Sequence, residues 1–145
     1  MGLRDDVERW TSHAGMRMSP VEDPDSTFHV MARLPGSGTP PVDVFEPAGQ
    51  PGVMVVGTAV VLKSGQTGRY LRYNRAEKES FEGRITDFCN SIRAVSRILT
   101  EEGRVKVGVY VVIDGGGPIR QGDFERAVEE VQGMHEKTTR FMRTL

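Results

Sequence analysis

The sequence is poor in features that would announce a secreted, membrane-bound or strongly charged protein. Its single cysteine, Cys89, excludes a disulfide within the chain. No apolar run approaches the roughly 18 residues of a membrane span, and the first ten residues lack the apolar stretch of a signal peptide. A net charge of -1 provides no overall field that would attract nucleic acid or an anionic membrane. We therefore expect a cytoplasmic protein with no membrane partner.

Clusters of catalytic or metal-binding residues are also missing from the sequence. His13, His29 and His135 lie on three different predicted elements and lack the spacing of metal ligands. No nearby base is visible for Cys89, so a buried, inert thiol is the better interpretation. The loop 114–118 is rich in glycine but matches neither phosphate-binding motif, so we expect an exposed turn. The sequence thus predicts no catalytic residue, no cofactor and no metal, and a protein that is not an enzyme.

The clearest positive signal is a stripe of apolar residues at alternating spacings of four and three, a pattern that places them on one face of a helix. The stripe consists of Phe81, Ile85, Phe88, Ile92, Val95 and Leu99. Burying six such side chains contributes roughly 9 to 18 kcal/mol before conformational entropy is subtracted. We predict one long helix over about residues 76–99 at the structural centre of the domain.

Periodicity and turn residues predict the remaining elements. We expect a helix over 3–14, strands near 28–34, 42–46, 53–62 and 105–113, a short strand within 16–21, and a last helix capped by Asp123 and reaching Met142. The glycine-rich stretch 64–68 is expected to be a loop. Short connections favour an antiparallel meander, and Arg33 and Asp43 are predicted to pair across its first hairpin. Residues 1–145 are predicted to form a single α+β domain of order α-β-β-β-α-β-α, with helices packed against an antiparallel sheet.

A short segment before the long predicted helix alternates arginine with tyrosine: Arg69, Tyr70, Arg72, Tyr73 and Arg75. This mixture can hold single-stranded nucleic acid through phosphate contacts and base stacking. In the alternative interpretation, Tyr70, Leu71 and Tyr73 pack at the entry to the helix. The arginines then pair with Glu77, Glu79 or Glu82. We name Arg69 to Arg75 the basic segment.

The predicted order of elements resembles the type III secretion chaperone-like fold, and the chain is similar to an uncharacterised archaeal family of small proteins of unknown function. The resemblance covers nearly the whole chain. It is carried by Val7-Glu8-Arg9-Trp10, by Asp23-Pro24-Asp25 with Phe28-His29, by Val42-Asp43-Val44 and by Val56-Gly57-Thr58. These are packing motifs, which speak for a fold more than for a function.

Secretion chaperones are typically homodimers that bind an extended segment of another protein without performing chemistry. The resemblance therefore implies a non-enzymatic, protein-binding homodimer, and the basic segment offers single-stranded nucleic-acid binding as the alternative. The long predicted helix carries a second strip, a candidate dimer face, which consists of Arg84, Asp87, Ser91, Ala94 and Ile98.

Overall fold

The computed structural model describes residues 2–114 and 117–145, so Gly115 and Gly116 of the predicted turn at 114–118 lie outside the described residues. Within these ranges it contains four helices and six strands. In chain order they are α1 Leu3–His13, β1 Arg17–Pro20, β2 Ser26–Arg33, β3 Val42–Pro47, β4 Val53–Val61, α2 Ser64–Arg72, α3 Arg75–Ser91, β5 Val95–Glu101, β6 Arg104–Asp114 and α4 Gln121–Met142. The predicted α+β class is confirmed. The element order α-β-β-β-α-β-α is not, because α2 and β5 are added and the short strand expected within 16–21 forms β1.

All six strands belong to one antiparallel sheet of order β1-β2-β3-β4-β6-β5. The first four strands are consecutive hairpin neighbours, which confirms the predicted meander. Val30 pairs with Val44, and Val44 pairs with Val56 on the next strand. All three side chains are buried. The period-two alternation of Phe28, Val30 and Ala32 therefore predicted the core face of β2 correctly.

The chain divides into two compact units, and the prediction of a single domain stays a prediction. Unit 1 comprises residues 1–58 and 110–133. In its core, Val7 and Trp10 of α1 pack with Phe124 of α4 and with the buried valines of the strands. The rings of Trp10 and Phe124 lie 5.6 Å apart. The apolar stripe of α1 and the inner face of the meander thus bury each other.

Unit 2 comprises residues 59–109 and 134–145 and includes α2, α3 and β5. Ile85 and Cys89 of α3 are fully buried. The rings of Phe88 and Phe141 are stacked, with centroids 4.2 Å apart. Within the described residues, no helix is long and apolar enough to cross a membrane.

The prediction of one helix over 76–99 is wrong, because α3 ends at Ser91 in a Schellman motif. Arg93 adopts the left-handed conformation, with φ of 59°. Its N–H donates to the carbonyl of Asn90 at 3.0 Å, and the N–H of Ala94 donates to the carbonyl of Cys89 at 2.9 Å. The chain then enters β5, so Val95 and Leu99 of the predicted stripe are strand residues. Here the apolar spacing continued across a helix end by coincidence.

The expected loop at 64–68 is also wrong, since these residues form the first part of α2. Gln66 Nε2 donates to the carbonyl of Met142 at 2.6 Å, and Thr67 Oγ1 donates to the carbonyl of Leu62 at 3.4 Å. The Thr67 contact at the start of the helix and the Gln66 contact with a residue distant in sequence therefore stabilise a helix that its glycines disfavour. A smaller correction concerns Asp123, which lies in the first turn of α4 and accepts from the N–H of Arg120 at 3.0 Å.

Candidate binding surfaces

The tyrosines of the basic segment are packed into unit 2. Tyr70 is only 6% exposed, and its hydroxyl donates to Glu82 Oε1 at 2.7 Å. Its ring lies 5.3 Å from that of Phe81 and 6.3 Å from that of Tyr73. Burial, together with the Glu82 carboxylate, raises the pKa of Tyr70 to about 12. Tyr70 is therefore a packed side chain, which supports the interpretation of the tyrosines as entry packing for α3.

The arginines of the basic segment point to water. Arg69 and Arg72 lie exposed on α2, and Arg72 Nε donates to the carbonyl of Gly68 at 3.1 Å. Arg75 forms the predicted pair with Glu79 at 3.2 Å, with its side chain 93% exposed. The other two predicted acidic partners have different roles, since Glu77 caps α3 at Asn74 and Glu82 binds Tyr70. The segment thus presents positive charge without an exposed aromatic platform at Tyr70.

The candidate dimer face does not exist as a helical face. Arg84, Asp87 and Ser91 lie on α3, whereas Ala94 follows the helix and Ile98 belongs to β5. Ala94 is also buried, at 3% exposure. The prediction of this face is wrong because the Schellman motif ends the helix between Ser91 and Ala94. The homodimer itself stays a prediction.

His29 forms a polar cluster in unit 1 that the sequence did not predict. Its Nδ1 lies 3.0 Å from Asp23 Oδ2, and its Nε2 lies 3.0 Å from Asp43 Oδ1. The His29 side chain is only 15% exposed, and its ring packs 5.0 Å from that of Phe45. The two carboxylates raise the pKa of His29 against the opposing effect of burial. We call His29, Asp23 and Asp43 the histidine cluster.

The histidine cluster lacks the arrangement of a catalytic triad. Ser26 Oγ donates to Asp23 Oδ2 at 2.7 Å and not to the imidazole. Both ring nitrogens face carboxylates, so neither is free to accept a proton from a nucleophile. This arrangement can store and release a proton, but it holds no activated nucleophile.

The sequence predicted a cross-strand contact for Asp43 of the histidine cluster, but with the wrong partner. Asp43 was predicted to pair with Arg33, but its carboxylate contacts His29 instead. The register shows why both partners were within reach. Asp43 lies opposite Met31, with His29 and Arg33 two residues to either side. Diagonal neighbours of this kind lie close enough for long side chains to meet.

The remaining cysteine and histidines show no reactive setting. Cys89 is fully buried, and burial raises the pKa of its thiol. His13 Nδ1 lies 3.3 Å from Gln121 Oε1, and burial lowers the pKa of His135. Among residues 2–114 and 117–145, no group of three or more His, Cys, Asp and Glu side chains is placed to hold a metal ion.

The two edge strands of the sheet differ in what they offer to a partner. β1 has four residues and ends in Pro20, which has no N–H to donate. β5 has seven residues without proline and forms the other edge of the sheet. On β5, Val95 is 56% exposed. An edge strand of this length presents a row of backbone donors and acceptors to which another strand can be added.

Comparisons with known proteins agree on fold and leave function open. The chain is similar in structure to an uncharacterized protein from Methanothermobacter thermautotrophicus, with a TM-score of 0.71 and 14% identity over 97% of this chain and 96% of that one. It also resembles "YbjN, a putative transcription regulator from E. coli", with a TM-score of 0.57 and 10% identity over 95% and 92% of the two chains. At these identities the likeness shows the fold alone. A comparison with curated proteins gave no match.

The family described as "Uncharacterized conserved protein (DUF2299)" matches residues 3–142, which is nearly the whole chain. The chain therefore belongs to this family.

Proposed function

We propose that this chain is a non-enzymatic protein-binding domain that forms a homodimer by adding a second copy to the β5 edge of its sheet. The observation that supports this most directly is the unequal protection of the two edges. β1 is short and ends in proline, whereas β5 offers seven residues without one. Strand addition to such an edge supplies backbone hydrogen bonds, and the side chains on alternate positions supply specificity.

The sequence of β5 is complementary to itself. In an antiparallel pair of β5 strands with the two-fold axis at Leu99, Arg97 of each copy lies opposite Glu101 of the other. Glu101 already has Lys106 Nζ at 3.6 Å within its own chain. Glu101 would then lie between two cations, and the symmetric contact would form twice. Opposite charges across a strand pair contribute roughly 0.2 to 1 kcal/mol each.

The resemblance to secretion chaperones agrees with this proposal. Chaperones of that fold are typically homodimers that bind extended segments, and the fold often has two strands after its long helix. Two strands, β5 and β6, follow α3 here. Non-enzymatic function is supported by the described side chains, since both nitrogens of His29 face carboxylates and Cys89 is buried.

Sedimentation at micromolar concentration and low ionic strength tests the dimer. We expect a wild-type dimer, weaker association in Arg97→Glu and in Glu101→Arg, and restored association in the double variant that exchanges the two charges. Arg69→Glu, a charge reversal on exposed α2, is the matched control and should sediment as wild type. Added salt should weaken the wild-type dimer because exposed charges are screened.

Two results would contradict the proposal in different ways. A wild-type chain that stays monomeric at tens of micromolar would exclude the homodimer. A dimer that persists unchanged in both single variants would retain the homodimer but remove it from the β5 edge.

A second candidate function is the binding of single-stranded nucleic acid by the basic segment. Three exposed cations, Arg69, Arg72 and Arg75, favour it, and one structural relative is named as a transcription regulator. The buried ring of Tyr70 weakens it, because that ring is not available for base stacking. Binding would then be electrostatic and without sequence preference.

Fluorescence anisotropy with single-stranded RNA and DNA tests this second candidate. Three phosphate contacts on a single strand predict a slope of roughly -2 for log K against log salt. Replacing the three arginines by alanine should abolish binding. A protein that binds neither nucleic acid at any salt concentration excludes this function. A pull-down from the native cell with the same triple variant shows whether protein partners depend on the segment.

A further inference from the structure

Each ring nitrogen of His29 faces a different carboxylate. Both contacts can be hydrogen bonds only when both ring nitrogens carry a proton. Nδ1 faces Asp23 and Nε2 faces Asp43, both at 3.0 Å. A neutral imidazole carries one N–H and therefore donates to only one of them, whereas the imidazolium donates to both. With His29 neutral, one carboxylate would face a nitrogen lone pair, which is repulsive. The observed geometry fits the protonated ring.

The two carboxylates are not equally dependent on His29. Asp23 accepts two further hydrogen bonds, from the N–H of Asp25 to Oδ1 at 3.0 Å and from Ser26 Oγ to Oδ2 at 2.7 Å. These contacts fix the Asp23 carboxylate whatever the state of the ring. Asp43 meets His29 Nε2 through Oδ1 at 3.0 Å, and its side chain is 26% exposed, so its carboxylate can turn toward water. Because the two bonds from Asp25 and Ser26 hold the Asp23 carboxylate in place, it cannot turn away from a nitrogen lone pair. The single proton of a neutral ring therefore stays on Nδ1, which faces Asp23.

We propose that His29 is a proton switch on the β2–β3 hairpin. The imidazolium joins Asp23 and Asp43, and loss of its Nε2 proton frees the Asp43 carboxylate while the Asp23 contact remains. The charge of the histidine cluster then changes from -1 to -2, and the added negative charge is placed at Asp43 on the solvent side of β3. Above the transition, this surface becomes more attractive to a cationic group of a partner. The inference is independent of the proposed dimer.

Other charged groups around His29 are placed to modulate the switch but not to replace its partners. From the connection before β2, Glu22 and Asp25 add negative charge. From β1, Arg17 lies opposite Arg33 of β2, and strand alternation places both on the His29 face, four residues along β2. Tyr110 of β6 approaches the cluster through Phe45, with ring centroids 6.1 Å apart.

The switch can be tested by NMR titration of the imidazole from about pH 5 to about pH 9, the range in which histidine changes charge. We expect His29 to titrate above the ordinary value of 6.5 and above His135, whose pKa is lowered by burial and which serves as an internal reference. Above the transition, nitrogen shifts should identify the Nδ1–H tautomer. Asp43→Asn and Asp23→Asn should lower the pKa of His29 toward 6.5, because each removes one stabilising charge.

Asp25→Asn is the matched control, since it removes a charge from the same connection without touching the ring. It should shift the titration less than Asp43→Asn does. The switch is contradicted if wild-type His29 titrates at or below 6.5, or if its neutral form is the Nε2–H tautomer. Equal shifts in Asp25→Asn and Asp43→Asn would also contradict it. If Asp23→Asn unfolds the chain, the wild-type tautomer still decides the outcome.

Discussion

The chain is stabilised by different means at the two edges of the sheet. Near β1, polar side chains stabilise the chain locally, since the connection to β2 is held by Asp23, Ser26 and His29. Near β5, the chain is stabilised mainly by backbone conformation. Arg93 and Glu102, with φ of 59° and 51°, adopt left-handed conformations at the two ends of the strand, and Gly103 follows with φ of 75°.

The difference bears on the proposal that a second copy adds a strand at β5. A short strand that ends in proline resists strand addition, so β1 needs no further protection. β5 is longer and remains free on one side, so its position depends on two strained turns and on contacts with α3. We expect perturbations of these supports to affect the β5 edge first and the β1 edge little.

The largest expected effect comes from removing the packing of α3. Ile85→Ala should lower the free energy of unfolding by about 2 to 5 kcal/mol, because Ile85 is fully buried and truncation leaves a cavity. Urea denaturation measures the loss, and hydrogen exchange should show faster opening of β5 than of β2. Ile85→Val, with one methylene less, should lose only about 0.5 to 1.5 kcal/mol. Uniform loss of protection across both edges would contradict the comparison.

The hairpin between β5 and β6 is the second test. Gly103→Val should destabilise the fold by about 1 to 2 kcal/mol, since φ of 75° is costly for an L side chain. No atom lies within 4 Å of an added Cβ there, so the backbone conformation alone would cause the loss. Gly49→Val is the control, because Gly49 has equal space and no positive φ. Equal thermal stability of the two variants would refute this explanation.

A substitution at the end of α3 should have a smaller effect on the unfolding free energy, and it should stabilise the protein. Arg93→Gly should stabilise the protein by roughly 1 kcal/mol, because glycine occupies the left-handed position after a helix at little steric cost. The same replacement at Arg97, inside β5, should destabilise because glycine weakens a strand. Urea midpoints of the two variants should therefore move in opposite directions. A loss of stability in Arg93→Gly would contradict the assigned role of Arg93.

The smallest expected effect is a pH dependence of the unfolding free energy, to which His29 and Asp23 near β1 contribute. The raised pKa of His29 contributes stability that is complete below 6.5 and is lost as pH rises through the folded-state value. The pKa of Asp23 is lowered, chiefly by the Ser26 hydrogen bond. Its contribution is present above 3.8 and is lost as pH falls through the lowered value.

The difference in unfolding free energy between wild type and His29→Gln isolates the histidine contribution, because His135, with a lowered pKa, acts with the opposite sign in both proteins. This difference should shrink as pH rises. A difference that is independent of pH would show that His29 is not charged in the folded state.

Local patterns predicted unit 1 better than unit 2. Alternation identified β2 because this strand buries one face, and the apolar spacing of α1 ended where Gly15 adopts φ of 71°. In unit 2 the apolar spacing continued through Ile92 into β5. The helix end depends on Arg93 in a conformation for which arginine gives no sequence signal.

The candidate sites were predictable only as residue types. The alternative interpretation of the basic segment is confirmed for the packed Tyr70 and for the pair of Arg75 with Glu79. It is wrong for Leu71, which is 46% exposed.

The partner of Asp43 was predicted wrongly. His29 and Arg33 lie on the same face of β2, and the spacing along the chain gives no reason to prefer one diagonal neighbour over the other. Asp23 could not be anticipated at all, since its contact with His29 depends on how the connection before β2 folds back.

By itself, the sequence determined the α+β class, the meander and the core faces of β2 and β6, because hydrophobic periodicity is a local property of the chain. The tertiary structure decided where α3 ends, whether 64–72 is helical, which edge of the sheet stays open and which two carboxylates meet His29. These outcomes depend on hydrogen bonds and packing between residues far apart in sequence, whose energies outweigh local preference.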